Sequence, residues 1–169
     1  MALFNVNVNR FDPYKSYRFL LYFGKSTNPV AAVSKVTALK RTSDVIEYKE
    51  GGNNIILKGL GRTKYEPLTL ERGVSYDTAF IQWADYTQQL DQGHPTTSLA
   101  NLRQDITVAL CNEAGAIVKA YVVQRCWVSE FQALPDLDAG ANAVALEHIK
   151  LENEGWWVDP ARSVEKLET

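Results

Sequence analysis

Residues 43 to 72 read SDVIEYKEGGNNIILKGLGRTKYEPLTLER, and this stretch constrains the fold more than any other. Two β-rich arms, Val45–Tyr48 and Ile55–Leu60, flank the breaker cluster Gly51, Gly52, Asn53 and Asn54, which predicts a hairpin spanning about 43–62. Extended to about eight residues, each arm reaches some 25 Å at roughly 3.3 Å per residue, about the width of the domain itself. Such an arm cannot pack fully on its own core, yet it carries Ile55, Ile56 and Leu57 in a row. Isolated hairpins are marginal in water, and exposed apolar edges pair with other chains. The expectation is an assembly device; the competing reading is a hairpin folded back over its own sheet. Signs alternate among Lys40, Arg41, Asp44, Glu47, Lys49 and Glu50, a pattern suited to setting register between identical subunits.

Around the arm the chain is β-rich. The segment 1–12 alternates apolar residues with asparagine, so it is expected to be extended and weakly anchored. Tyr17–Phe23 and Val30–Leu39 read as strands, and Leu68 and Leu70 mark another. One helix is expected over about 75–91, with Ser75 as N-cap, Asp77 in its first turn and Phe80, Trp83 and Leu90 packed on the core. Gly93 and Pro95 end it. Ile106, Val108 and Leu110 alternate with polar neighbours, and Ile117–Trp127 forms a long strand with Val118, Ala120 and Val122 on one face. The other face carries Lys119, Tyr121, Val123 and Arg125, apolar groups beside charges, as at a surface buried by a partner copy. Residues 131–142 are expected as a loop, Val144–Asn153 as a last strand and 159–169 as a fraying polar tail. The predicted fold is a single domain over 1–169, a mostly β antiparallel sandwich or barrel with one flanking helix and a protruding hairpin.

Chemistry is sparse. With 18 basic against 20 acidic residues the net charge is −2, which argues against sequence-specific nucleic-acid binding through a basic face. No leader-like segment is read at the start and no 18 apolar residues run together, so the expectation is a chain made and kept soluble in a cytoplasm, without stable membrane insertion. Cys111 and Cys126 lack metal spacing; strand pairing would put Cys126 opposite about residue 102, leaving the sulfurs roughly 30 Å apart. His94 and His148 complete no ligand set, and no nucleophile motif is present. Gly59–Lys64 lacks the spacing of a phosphate loop. Carboxylates such as Glu66, Glu71, Glu130, Asp136 and Asp138 read as solvated surface. No catalytic residue, metal or cofactor is therefore expected. Trp127, Phe131 and Tyr121 could alternatively line the pocket of a small β-barrel ligand-binding module.

KVTALKRTSDVIEYKEGGN at 35–53, GRTKYEPLTLERGVSYDTAFIQWA at 61–84, CNEAG at 111–115, QRCWVSEFQALPDLDA at 124–139 and NAVALEHIKLENEGW at 142–156 form an ordered set. In these stretches the chain resembles the tube proteins of contractile phage tails and related bacterial contractile injection systems. The resemblance implies a β-sandwich subunit, six per ring, with rings stacked around a channel lined by strands of all subunits. It implies as partners further copies of the chain, a sheath, baseplate and spike proteins, and a tape measure or cargo in the lumen. It also places Val45, Ile46, Tyr48, Ile55, Ile56 and Leu57 at contacts between subunits and rings. A baseplate-proximal tube initiator of the same fold is the close alternative.

Overall fold

The computed structural model describes residues 18–30, 33–93, 98–140 and 143–163. The expected extended segment at 1–12, His94, Pro95 and the tail from 164 onward lie outside them. In chain order the elements are β1 (Phe19–Phe23), β2 (Val33–Val36), β3 (Arg41–Tyr48), β4 (Leu57–Tyr65), β5 (Leu68–Gly73), α1 (Ala79–Asp91), α2 (Leu99–Leu102), β6 (Gln104–Cys111), β7 (Ile117–Gln132), β8 (Leu146–Glu152) and β9 (Gly155–Val158). Every strand pairing is antiparallel, in the order β1-β6-β7-β8-β5-β2 with β9 also on β7. The two outermost strands do not pair, so the fold is a sandwich rather than a closed barrel.

What folds this one sheet into two layers is β7. Its first half pairs with β6 and β9, and its second half, from Trp127, pairs with β8. Between them the register slips, from Ile106↔Val123 to Gln104↔Cys126, and Arg125 takes a left-handed φ of 48°. The Arg125 amide leaves the ladder and donates to Asp105 Oδ1 at 2.9 Å. An extra residue of this kind bends a strand and re-phases its side chains. Val123 therefore faces the core before the bulge, and Cys126 and Val128 face it afterwards.

The core between the layers gathers Leu21 from β1, Leu68 and Leu70 from β5, Ile106 and Val108 from β6, and Ile149 and Leu151 from β8. Phe80 and Trp83 of α1 plug it, with Phe23 packed against both rings. Each of these buried aliphatic side chains contributes about 1.5–3 kcal/mol on transfer from water. Trp83 Nε1 donates to the Leu102 carbonyl at 3.1 Å, which leaves no unpaired donor there. Leu90, nearer the helix end, is half-buried.

Several expectations need correction. The helix starts at Ala79, not after Ser75: Thr78 is the cap residue without a side-chain cap bond, and Asp77 Oδ1 instead accepts from the Ala79 amide at 3.0 Å. A single-turn α2 follows it. Of the strand expected over Val30–Leu39, residues 31–32 lie outside the described residues and Val33–Val36 pair with β5; the strand bulges at Ser34, and Thr37 leaves it to bond Thr69 through backbone and hydroxyl. Phe131 and Gln132, expected in a loop, extend β7 and pair with β8. Val123, placed on a mixed surface face, is fully buried. β9 was not anticipated. Asp159–Ser163, expected to fray, is tied to β7: the Asp159 amide donates to Ala120 O at 2.8 Å and the Ala120 amide to Ser163 Oγ at 3.1 Å. Cys126 pairs with Gln104, close to the expected position about 102, and Cys111 with Ile117; both thiols are free and buried.

Candidate assembly surface

β3 and β4 form a two-stranded sheet of their own, hydrogen-bonded to no other strand among the described residues. The strands run eight and nine residues, and all of β3 is exposed. The turn sits at Gly51 and Gly52, with Gly52 at φ 87° and the Asn53 amide donating to Glu50 O at 3.2 Å. That left-handed position is why glycine stands there. Asn53 Oδ1 then accepts from the Ile55 amide, an Asx turn that carries the chain into β4. Tyr48 pairs with Leu57, so Ile55 and Ile56 lie in the loop at the tip rather than in a strand, as the arm Ile55–Leu60 had implied.

Val45, Ile46, Tyr48, Ile55 and Ile56 are each more than half exposed, and Leu57 is half-buried against its partner strand. Leu60, 81% exposed and paired with Val45, is a further apolar group of the arm that sequence reasoning did not single out. Alternation along Leu57–Leu60 is broken by Gly59 and so hid it. A bulge lies lower down in the arm, where Asp44 faces both Gly61 and Arg62. A Cβ at Gly61 would stand 2.7 Å from the Asp44 carbonyl oxygen, so only glycine lets the strands close. Part of the charge alternation is used inside the arm, in the pairs Glu47–Lys58 at 3.8 Å and Asp44–Lys64 at 3.5 Å. Both are exposed and add little stability.

The root of the arm is held from two sides. Glu66 donates its amide to Lys40 O at 3.0 Å, and its carbonyl accepts from Asn153 Nδ2 at 2.9 Å. Tyr65 lays its ring over Gly155, where a Cβ would sit 3.4 Å from the ring's Cζ. Toward the other end of β5 the helix start is pinned by Arg72, fully buried, which bonds Glu147 Oε1, Asp77 Oδ2 at 2.8 Å and the Asp77 carbonyl, and lies 4.1 Å from the Phe80 ring centre. Sequence reasoning missed this network. Its one signal is parity, since Arg72 follows Leu68 and Leu70 on the same strand face.

The other candidate groups serve packing. Tyr121 stacks edge-on against Trp156, Phe131 packs on the core, and Trp127 pairs with Glu152. His148 Nε2 lies 3.3 Å from Glu130 Oε1 at the surface. Among the described residues no three metal-ligating side chains converge, and no helix is long and apolar enough to cross a membrane. Burial and the Asp105 carboxylate push the Cys126 thiol up to about 12, the Ile106 amide opposing them, and burial raises Cys111 against the pull of Arg18.

The family profile described as T4-like virus tail tube protein gp19 matches residues 15–157. The chain belongs to that family. The fold of this tail tube family member is similar to a chain in the sixfold-symmetrised baseplate of the anti-feeding prophage, at TM-score 0.72 and 25% identity, covering 93% of this chain and 100% of that one. It is also similar to a chain of the anti-feeding prophage cap, at TM-score 0.73 and 24% identity over 94% and 99% of the two chains. A chain of the extended sheath-tube complex of an extracellular contractile injection system, PVC, matches at TM-score 0.70 and 24% identity over 87% and 91%. No curated protein sequence matches it. The family and these neighbours are structural parts of tubes and caps rather than enzymes.

Proposed function

We propose that this family member is the repeating subunit of the inner tube of a contractile tail or injection system. Six copies form a ring, rings stack around a central channel, and contraction of a surrounding sheath drives the tube through a target envelope. Val45, Ile46, Tyr48, Ile55, Ile56 and Leu57 sit at the contacts between subunits and rings. The observation that carries this reading is a two-stranded arm that, among the described residues, bonds to no other strand while exposing most of those side chains. A hairpin of this kind gains its stability from what covers it. Membership of the tail tube family and likeness to chains of a sixfold baseplate and a sheath-tube complex support the same geometry. The partners are then further copies, sheath, baseplate and spike proteins, and a tape measure or cargo in the lumen, with assembly in a bacterial cytoplasm.

Replacing Ile56 with Asp tests it. The tip loop is remote from the core, so the variant keeps the circular dichroism spectrum of the parent, while negative-stain micrographs lose the tubes. Normal tubes from the folded variant remove the arm from the interface. Likeness to a baseplate chain at 25% identity favours a second reading, a tube initiator that forms one ring and does not stack. Purified protein that yields single rings at every concentration selects it.

A further inference from the structure

A second apolar cluster lies at the far end of the sandwich from the arm. The arm joins β5 at Leu68, and β5 runs from there to Gly73, so Val74 stands about 20 Å from the root at 3.3–3.4 Å per residue. Val74 donates its amide to Ala145 O at 3.0 Å, and Gly73 pairs with Leu146, which brings the two chain segments together. β7 ends at Gln132, opposite His148, so Leu134 runs out beside them. Val74, Leu134, Val144 and Leu146 are all exposed there; further along the same two connecting segments Tyr76 and Leu137 are exposed as well, Tyr76 completely. Four exposed apolar side chains on adjoining segments exceed the singly scattered apolar residues of an ordinary surface.

Charge separates the two ends. The arm from Arg41 to Tyr65 holds five basic side chains (Arg41, Lys49, Lys58, Arg62, Lys64) against three acidic ones (Asp44, Glu47, Glu50), a net of +2. The stretch 133–146 holds Asp136 and Asp138 and no basic residue, a net of −2. We infer that the acceptor for the arm of one copy is this acidic-rimmed apolar end of a second copy, in the next ring. The inference rests on the tube reading and names the surface that completes it. A donor at one end of a subunit and its complement at the other make a heterologous contact, which repeats along an axis instead of closing on itself. Apolar groups of both partners are covered, and opposite charges meet at the rim and set the register. A tip-to-tip contact would bring two net-positive arms together.

The experiment is chemical cross-linking of the assembled full chain with Asn54→Cys at the arm tip and Ala143→Cys beside the acceptor. Both sites are exposed, whereas native Cys111 and Cys126 are buried, and the parent chain serves as the control for them. A short bis-maleimide is expected to give a ladder of covalent multimers well beyond the dimer from the double variant, and no ladder from either single variant. Dimers formed as readily by Asn54→Cys alone indicate tip-to-tip contact and overturn the inference. So do assembled particles that give no cross-link, which leave the tube reading standing. A parent chain that never assembles overturns both. In parallel, Asp136→Lys with Asp138→Lys raises the concentration needed for stacking by about tenfold or more, each tenfold corresponding to about 1.4 kcal/mol. An unchanged threshold in that folded variant overturns the inference as well.

Discussion

Arg72 and Glu147 carry opposite charges into the interior, directly across from one another on β5 and β8. The desolvation of such a pair is offset only while both partners remain. Arg72 also reaches Asp77 and lies on Phe80, so it joins the sheet to the start of α1. Arg72→Met leaves a buried carboxylate uncompensated and is expected to cost about 3–5 kcal/mol in urea unfolding, whereas Arg72→Met with Glu147→Leu restores most of it. Equal losses for the single and double variants would show that the charges do not compensate each other. Cys126 makes the second prediction at this scale. Its folded thiol titrates at about 12, against about 8.5 when unfolded, so between those values the unfolded chain holds fewer protons than the folded one. Its stabilising contribution is complete below pH 8.5 and declines as pH rises toward 12. Cys126→Ala is expected to flatten the fall in the urea midpoint between pH 8 and 10, measured as the difference from the parent. The buried charges were hard to read in advance, because a charged residue in an alternating strand ordinarily marks the wet face; the parity that Arg72 shares with Leu68 and Leu70 pointed inward, but nothing in the sequence named Glu147 or Asp77 as its partners.

Among the elements, the arm was the most legible, because glycine and asparagine interrupt two β-branched runs and no tertiary contact competes with that local signal. Its details were less so. The glycines at 51 and 52 place the turn, but the Asx turn at Asn53 takes Ile55 and Ile56 out of the strand. Gly61 adds a constraint that only the paired structure reveals, the close approach of Asp44. Gly61→Val is expected to leave the urea midpoint of the core within about 0.5 kcal/mol of the parent, as for other substitutions away from packed features, while shifting the arm's register and abolishing tubes in micrographs. Tubes of normal dimensions would show that the register of β3 on β4 is not needed. The helix was placed four residues early for a related reason. Ser75, Asp77 and Thr78 are all competent caps, and the choice among them is made by Arg72 gripping Asp77. β9 escaped notice because Gly155, Trp156, Trp157 and Val158 form only four residues without alternation, held in place by pairing with β7.

For the molecule as a whole, the β class, the single long helix and the protruding hairpin were accessible from periodicity and turn chemistry. The choice between sandwich and barrel was not, since it depends on whether the outermost strands meet. The decisive residue is Arg125, an ordinary-looking charge within Gln-Arg-Cys-Trp whose backbone conformation sends β7 from one layer to the other. The exposed arm and the apolar far end likewise acquire meaning only together, as two ends of one subunit. The corner in β7 has a mechanical corollary. Because a single stretch of covalent backbone is woven into both layers, neither can slide over the other without tearing out the Arg125 tether to Asp105 and withdrawing Cys126 and Val128 from their seats. A lengthwise thrust on one layer is thus handed to its companion through peptide bonds, and the brick resists shear without any disulfide to brace it.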